Sequence, residues 1–265
     1  MNKKQIPVEQ IIDIAKRAGD AILKVYNTDF SVYEKSDQSP LTEADLAAHK
    51  IIANSLLELT PEIPILSEES AHIPYSLRST WERYWLIDPL DGTKEFIKRN
   101  GEFTVNIALI DNMRPILGVI YVPVTQVTYY GSTDEGAFKQ LAGADAEQIK
   151  VSPKHSRPIR VAGSRSHAGD SLKCYLNNLG AHEIIHMGSS LKSCLVAEGK
   201  ADIYPRLGPT SEWDTGAAQA VIEAAGGRIT DTKMQPLQYN SKDSLLNPDF
   251  FVFGDLDHDW SSYLE

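Results

Sequence analysis

The sequence is short of cysteine, of positive charge and of long apolar runs. Its two cysteines, Cys174 and Cys194, are too few for a disulfide framework or a four-cysteine zinc site, so we expect a reducing compartment, the cytoplasm. No stretch approaches the roughly 18 apolar residues of a membrane-spanning helix. No apolar segment of signal-peptide length follows the first residues, so we expect neither a transmembrane segment nor a secretion signal.

The shortage of positive charge limits the classes of partner. The chain has 26 Lys and Arg against 36 Asp and Glu, a net charge of −10. Nucleic acid and anionic membranes attract basic surfaces, so neither is expected to be the main partner. An anionic small molecule remains compatible with this charge, because bound cations can invert the local field. With 265 residues, 42% of them hydrophobic, the chain can form one large domain or two packed halves.

The stretch most typical of a functional site lies at residues 84–93. The apolar run 84–87 predicts a buried strand, which leads into the sequence Asp88-Pro89-Leu90-Asp91-Gly92-Thr93. Gly92 allows a sharp turn, and Thr93 is expected to be the N-cap of a short helix. Two carboxylates suit a hard divalent cation, and a helix start offers N–H groups to an anion. A plain strand-to-helix turn with surface acids is an equally good interpretation of this hexapeptide alone.

Four further acids stand at the predicted ends of regular elements. Asp45 follows Thr42 at the start of a helix, where it would complete a capping box. Glu68 and Glu69 follow a short strand, and Asp214 opens another helix. Each has an ordinary structural interpretation, as a cap, a solvated pair or a first-turn acid. If the acids converge, divalent cations would relieve their repulsion, and two cations about 3.5–4 Å apart are a known arrangement for phosphoryl hydrolysis.

The spacing of apolar residues divides the chain into two α/β halves, 1–150 and 151–265, joined through a surface connection at 143–154. Helical periodicity predicts helices over 7–26, 43–59, 93–97, 170–179, 188–199 and 214–225. Runs rich in β-branched and aromatic residues predict strands at 30–34, 63–67, 84–87, 104–110, 116–122, 127–130, 159–162, 183–186, 201–205, 228–230 and 250–253. The three strands between residues 104 and 130 are expected to form an antiparallel meander.

One motif points to a different class of enzyme. The segment His182-Glu183-Ile184-Ile185-His186 matches the H-E-x-x-H pattern of zinc peptidases. That pattern binds zinc only on a helix several turns long, where both histidines share one face. Here Gly180 and Gly188 leave no room for such a helix, and two of the five residues are β-branched. We therefore interpret the segment as a strand and keep the zinc peptidase as a remote alternative.

Several of these motifs together resemble a known set. Asp45, the pair Glu68-Glu69, the hexapeptide from Asp88 and the pair Trp213-Asp214 are similar, in order, to the motifs of the lithium-sensitive, magnesium-dependent phosphatases. That superfamily includes inositol monophosphatases, fructose-1,6-bisphosphatases and 3′(2′),5′-bisphosphate nucleotidases. Longer blocks resemble the bacterial bisphosphate nucleotidases of sulfate assimilation: residues 85–110, Ser164-Arg165-Ser166-His167, Gly188-Ser189-Ser190-Leu191-Lys192 and Tyr204-Pro205-Arg206. Gly216 departs from the pattern, since alanine is expected there.

The resemblance implies a fold, a cofactor and a reaction. The fold would be an α/β layered sandwich with alternating α-β-α-β-α layers and a site where the halves meet. Two or three Mg²⁺ ions would be bound by Glu68, Asp88, the Leu90 carbonyl, Asp91 and Asp214. Asp45 and Thr93 would take the proton from the attacking water. The expected reaction removes the 3′-phosphate from 3′-phosphoadenosine 5′-phosphate to give AMP, with the 5′-phosphosulfate analogue as a second substrate.

The residues that would select a nucleotide are implied in the same way. The substrate-binding positions are Gly92, Thr93, Ser164, His167, Gly188, Lys192 and Asp214. Independently, Gly188-Ser189-Ser190 at a helix start followed by a lysine predicts an anion-binding cradle. The alternative is that Lys192 is an exposed helix residue and His167 part of a polar turn. Within the superfamily the alternative function is an inositol-phosphate phosphatase, and peripheral association with the inner membrane is implied for some bacterial relatives.

Overall fold

Two antiparallel helices, α1 (Val8–Tyr26) and α2 (Glu43–Leu59), form one outer layer of the protein. The computed structural model describes residues 6–34, 40–70, 72–164 and 169–264. The buried face of α1 includes Ile11, Ala15 and Ile22, which follow the predicted helical period. Between the helices, strands β1 (Val32–Glu34) and β2 (Pro40–Thr42) pair as a hairpin, so the arm predicted at 30–34 is confirmed.

A seven-stranded sheet lies beneath the helix pair, with strands in sequential order from β3 to β9. These strands are β3 (Ile65–Ser67), β4 (Arg83–Asp91), β5 (Thr104–Asp111), β6 (Arg114–Val122), β7 (Val127–Ser132), β8 (Gly136–Gln140) and β9 (Ala146–Gln148). Strands β3 and β4 run parallel, and all later neighbours are antiparallel, which confirms the predicted meander. Alternation along β4 places Trp85 and Ile87 towards α1 and α2, and Tyr84 and Leu86 towards the other face.

Short elements account for most of the differences from the prediction. The helix α3 (Tyr75–Arg78) and strand β8 were not predicted, and the segment 143–154, predicted as a surface connection, contains the edge strand β9. All three residues of β9 are exposed and pair only with β8. Because this strand has no buried face, its sequence shows no alternation of apolar and polar residues from which it could be predicted. Helix α4 (Thr93–Ile97) follows β4 as predicted.

The second half forms a five-stranded mixed sheet with the order β11-β10-β12-β14-β13. Its strands are β10 (Ile159–Gly163), β11 (His182–His186), β12 (Ile203–Arg206), β13 (Arg228–Asp231) and β14 (Phe250–Phe253). Its helices are α5 (Asp170–Leu179), α6 (Leu191–Ala197) and α7 (Glu212–Ala224). Helix α6 begins after the predicted start at residue 188, because Ser189 has a left-handed backbone, with φ of 51°.

The elements stack as alternating layers, which confirms the predicted fold class. Helices α6 and α7 lie between the sheets: α7 contacts β5, β6 and β7, and α6 contacts β10 and β12. On the outer face of the second sheet, Tyr175 and Leu179 of α5 pack with Phe251 and Trp260. The order is therefore helix pair, sheet, helix pair, sheet, helix. Among the described residues, no helix combines the length and apolar character needed to cross a membrane.

Helix α7 packs closely against the first sheet, and glycines on both elements leave room for this contact. A Cβ atom at Gly118 of β6 would fall on the backbone of Ala217 in α7. A Cβ atom at Gly216 would lie 2.9 Å from Leu86 Cδ2. This contact explains the glycine at position 216, where the resemblance led us to expect alanine, and it brings the first turn of α7 to the end of β4.

We predict that Gly118→Ala destabilises the protein by about 1–3 kcal/mol, because the added methyl group meets backbone that cannot move independently. Urea and thermal unfolding measure the change, with a melting temperature lower by about 2–4 °C per kcal/mol for a chain of this size. Gly169→Ala is the matched control, since that residue has φ of −63° and nothing within 4 Å of its Cβ position. Equal stability of the two variants would contradict the packing argument.

Candidate metal centre

A β-bulge at the end of β4 brings two carboxylates to one face of the sheet. Asp88 pairs with Asn106 of β5, and Asp91 pairs with Thr104, so three steps along β4 match two steps along β5. In a regular strand, residues three apart point to opposite faces; the extra residue in the bulge places both aspartates on the same side. Pro89 lies within the bulge, where its missing N–H does not interrupt the ladder.

The turn after Asp91 differs in one respect from the prediction. Gly92, and not Thr93, is the N-cap residue of α4, with φ of 93°. A side chain at Gly92 would be strained by this φ and would lie 3.2 Å from Glu102 O and from Ser189 Cβ. Thr93 is the first helical residue, and it lines the cleft beside the cluster.

Three carboxylates converge at the junction of the two halves. One ligand oxygen each from Asp88, Asp91 and Asp214 lies within 4.8 Å of the others. Asp214 arrives from the first turn of α7, where its Oδ2 accepts a hydrogen bond of 2.8 Å from the N–H of Ser211 in a capping box. The helix begins at Glu212, two residues before the predicted start. Asp214 is therefore both a helix cap, its ordinary interpretation, and a member of the cluster.

Glu68 and Leu90 complete the surroundings of the cluster. Glu68 begins the 3-10 turn that follows β3, and it lines the same cleft of about 360 Å³ as Asp88, Leu90, Asp91 and Asp214. The side chain of Leu90 is buried in the core under α1 and α2, so only its main chain could serve a ligand. The N–H of Leu90 donates a hydrogen bond of 3.0 Å to Asp88 Oδ1, which fixes that carboxylate against the bulge.

Burial and mutual repulsion make two of these acids, Asp88 and Asp214, hard to ionise. Burial raises the pKa of Asp88 well above its usual value, and the charges of Glu68, Asp91 and Asp214 raise it further. The pKa of Asp214 is raised to about 8, first by burial and then by Asp91. Oxygen ligands of this kind suit a hard divalent cation, whose charge would relieve the repulsion. The residues present therefore fit a metal site.

Asp45 has the structural role that the sequence favours. Its Oδ2 accepts hydrogen bonds from the N–H and the hydroxyl of Thr42, at 2.8 and 2.6 Å, and the capping box is confirmed. The side chain is almost fully buried. Strand β2, which ends at Thr42, contacts helix α4, which begins at Thr93. Asp45 and Thr93 thus belong to neighbouring elements, and their role as proton acceptors stays a prediction.

A pocket of about 160 Å³ adjoins the cluster and contains two cationic side chains, Lys192 and Arg206. Lys192 is only 8% exposed, so its interpretation as an exposed helix residue is wrong. Its Nζ donates to Ser189 O at 2.7 Å and lies 5.3 Å from the centre of the Tyr204 ring. Burial lowers the pKa of Lys192, whereas the nearby charge of Asp91 raises it. Ser164 lines this pocket too, as does Asp91 on the wall shared with the metal cluster.

Arg206 is the residue of this pocket that sequence reasoning did not assign. Its Nη2 donates to Pro209 O at 2.9 Å, and its buried Nε has no hydrogen-bond partner within the described part of the chain. The block Tyr204-Pro205-Arg206 gives one indication of such a role, because it ends a strand with a cationic residue in an acidic chain. Its sequence does not show that this cation faces the aspartates.

Two backbone N–H groups of the predicted anion cradle already have partners. The N–H of Gly188 donates to Glu102 Oε2 at 2.8 Å, and the N–H of Ser190 donates to Asp91 Oδ2 at 2.7 Å. Because carboxylates occupy these donors, the expectation of a backbone cradle is wrong for both groups. A substrate contact at Gly188 stays a prediction. His167 lies outside the described residues.

The H-E-x-x-H segment is the edge strand β11, as we predicted. Residues alternate along a strand, so Glu183 faces away from His182 and His186, whose Cα atoms are roughly 13 Å apart. His182 Nδ1 lies 2.7 Å from Gly180 O. The strand geometry excludes the zinc site of a helical motif.

Comparison with known sequences agrees with this arrangement. A family model described as the inositol monophosphatase family matches residues 5–253. The 3′(2′),5′-bisphosphate nucleotidase CysQ of Escherichia coli strain K12 is 53% identical over 248 residues, covering 92% of this chain and 98% of that protein. The protein of the same name from Aggregatibacter actinomycetemcomitans is 41% identical over 254 residues, covering 96% and 94%.

Solved structures share the same layered fold. CysQ from Bacteroides thetaiotaomicron, a bacterial member of the inositol monophosphatase family, superposes with a TM-score of 0.79 at 42% identity, covering 92% of this chain and 96% of that one. An inositol monophosphatase from Anabaena superposes with a TM-score of 0.73 at 24% identity, covering 97% and 93%, which concerns the fold alone. From the motifs, the layers and these matches, the chain belongs to the inositol monophosphatase family, whose members depend on metal ions.

Proposed function

We propose that this protein is a magnesium-dependent phosphatase that converts 3′-phosphoadenosine 5′-phosphate to AMP and phosphate. The observation that carries the proposal is one composite site: the cluster of Asp88, Asp91 and Asp214 shares a wall with the pocket of Lys192 and Arg206. Such a site offers metal ligands for one phosphate and cationic side chains for a second. Relatives named as bisphosphate nucleotidases support the substrate class. The 5′-phosphosulfate analogue remains a predicted second substrate, and the cytoplasm remains the predicted compartment.

The acids would bind two or three Mg²⁺ ions. The proposed ligands are Glu68, Asp88, the Leu90 carbonyl, Asp91 and Asp214. Hard oxygen donors are the ligands that Mg²⁺ prefers in proteins. When bound, the cations polarise the phosphate, make a water molecule more acidic and stabilise charge on the departing oxygen.

The proton of the attacking water needs an acceptor, and we assign this to Thr93 and Asp45. Thr93 begins α4 and lines the cleft beside the cluster. Asp45 is held in one orientation, because its Oδ2 accepts both hydrogen bonds from Thr42. A buried carboxylate of fixed orientation can accept a proton that a threonine hydroxyl passes on.

The second phosphate of the nucleotide is the reason for preferring this substrate over an inositol monophosphate. In a chain of net charge −10, a second anion requires its own cationic groups. Lys192 and Arg206 supply them, with Ser164 on the pocket wall. The alternative substrate has a single phosphate and neutral hydroxyls, and it would bring no anion to these two side chains.

We predict that Asp91→Asn and Asp214→Asn abolish turnover while the protein still folds, because an uncharged side chain removes a ligand and also relieves repulsion.

For Asp214 the folded-state pKa of about 8 lies above its ordinary value of 3.8, so the folded protein holds this proton more tightly. Stability without divalent cations should therefore fall as pH rises from about 4 to 8.

Thermal unfolding in a chelator, at pH 5.5 and at pH 8, checks this pH dependence, and added Mg²⁺ should restore stability at pH 8. Asp214→Asn should reduce the change in melting temperature between the two pH values, whereas the exposed control Asp249→Asn should not. Near-normal turnover of either cluster variant at saturating Mg²⁺ would refute the metal assignment.

Thr93→Ala should lower kcat by about 10²–10⁴, with substrate affinity much less affected, because we assign the hydroxyl to the proton transfer and the main chain of Thr93 is retained. Asp45→Asn should lower kcat similarly, and the double variant should be little worse than either single one. Steady-state kinetics at saturating Mg²⁺ measure this. Loss of stability with unchanged kcat in Asp45→Asn would show that its capping role is its only role.

Lys192→Ala should reduce kcat/KM for the bisphosphate by about ten- to a hundredfold, since a charge-assisted phosphate contact contributes about 1.5–3 kcal/mol. Hydrolysis of adenosine 3′-monophosphate should hardly change, because this substrate lacks the second phosphate. Phosphate release from nucleotide, inositol and sugar phosphates provides the measurement. Lys233→Ala, at an exposed lysine, is the control. Equal losses on both nucleotides, or efficient wild-type hydrolysis of inositol monophosphate, would favour the alternative function.

A further inference from the structure

The carboxylate of Asp91 is held by a loop from the other half of the protein. Its Oδ2 accepts a hydrogen bond of 2.6 Å from the Ser189 hydroxyl, and it accepts two bonds from Ser190, at 2.7 Å from the N–H and 2.8 Å from the hydroxyl. A fourth, longer bond of 3.4 Å reaches Oδ2 directly from Asn106 Nδ2 of β5. No residue in the described part of the chain donates a hydrogen bond to the other oxygen, Oδ1.

Behind the two serines lie two polar residues of β5 to which no role has been assigned. Asn106 Nδ2 donates to the Ser190 hydroxyl at 2.9 Å. Thr104 Oγ1 lies 2.6 Å from the Ser189 hydroxyl and 2.9 Å from Asn106 Oδ1. Thr104 is 0% and Asn106 1% exposed, so neither side chain exchanges these bonds with solvent.

The direction of the bonds follows from the number of protons. Ser190 Oγ accepts from Asn106, and two acceptors lie within reach of its single proton: Asp91 Oδ2 at 2.8 Å and Asp214 O at 3.1 Å. The nearer, charged carboxylate is the stronger acceptor, so the proton goes to Asp91. Likewise the proton of Ser189 goes to Asp91, and the Thr104 hydroxyl donates either to Ser189 or to Asn106. The donors therefore run from β5 towards the carboxylate.

The strand register explains why these two positions serve Asp91. Across the bulge, Thr104 pairs with Asp91 itself and Asn106 pairs with Asp88. Residues two apart on β5 point to the same face, so both side chains lie beneath the loop that contains Ser189 and Ser190. The same loop also orders the anion pocket, because Ser189 O accepts the bond from Lys192 Nζ.

We propose that Thr104 and Asn106 are positioning residues for Asp91. Both act through the hydroxyls of Ser189 and Ser190, and Asn106 also acts through its own longer bond to Oδ2. They fix Oδ2 and so present Oδ1 to the divalent cation. The backbone of Ser189, at φ of 51°, is uncommon for a non-glycine residue, and these bonds keep it in place. The inference rests on the proposed role of Asp91 as a metal ligand.

The test is the affinity of the whole chain for divalent cations without substrate. Asn106→Leu has the same branched shape without polar atoms, and Thr104→Val removes only a hydroxyl. Isothermal titration with Mg²⁺ and with Mn²⁺ should show dissociation constants about 10–100-fold higher in both variants. Their kcat should recover at saturating metal, because the ligand itself is retained.

Two controls separate positioning from general destabilisation. Thr104→Ser keeps the hydroxyl and should bind metal as the wild type does. Thr128→Val removes a buried hydroxyl of β7 that has no partner within the described ranges, and it should leave metal affinity unchanged. Thermal unfolding in a chelator verifies that each variant is folded. If Asn106→Leu does not fold, the metal affinity of Thr104→Val alone decides the test.

The outcomes are distinguishable. Suppose that the wild type binds metal and that the dissociation constants of Asn106→Leu and Thr104→Val lie within twofold of the wild-type value. This result would overturn the inference and leave the proposed function intact. A wild-type chain that binds neither cation would overturn both. Weaker binding in both variants, with normal binding in Thr104→Ser and Thr128→Val, is the expected result.

Discussion

Repulsion among three carboxylates is the constraint on which the rest of this structure depends. Asp88, Asp91 and Asp214 come from two distant parts of the chain, and their oxygens lie within 4.8 Å of one another. Burial and this repulsion raise the pKa of Asp88 and of Asp214, so the cluster is unfavourable unless the surrounding protein imposes it. Close packing of α7 on the first sheet, through Gly118 and Gly216, is one such means. The proposed cations would turn the unfavourable arrangement into a binding site.

The same cluster affects the charge of the two cationic side chains in the adjoining pocket. Lys192 is buried, and burial lowers its pKa, but the charge of Asp91 raises it. The acids that would bind cations therefore also favour the charged form of the lysine in the adjoining pocket. Arg206, near Asp214, adds a second positive charge. The proposed metal ligands and the two cationic side chains thus stabilise each other's charges across one shared wall.

Ser189 connects the two parts of the site directly. Its hydroxyl donates to Asp91, and its carbonyl oxygen accepts from Lys192, at 2.6 and 2.7 Å. A residue with these two partners has little freedom to relax its left-handed backbone. Thr104 of the opposite half contacts Ser189, and Asn106 donates to the neighbouring Ser190. The geometry of the proposed metal ligand and that of the adjoining pocket therefore depend on the same contact between halves.

Local spacing was sufficient for much of this protein. The capping box at Asp45, the strand leading into Asp88, the meander and the strand identity of the H-E-x-x-H segment all follow from residues a few positions apart. Only the tertiary structure decided that Gly92 caps α4, that the N–H groups of Gly188 and Ser190 bind carboxylates, and that Arg206 faces the cluster. Those features depend on the bulged register of β4 and on contacts between residues about a hundred positions apart, such as Ser190 with Asp91. A hydrogen bond of that kind is selected by the packing of whole layers, and no short-range pattern in the sequence encodes it.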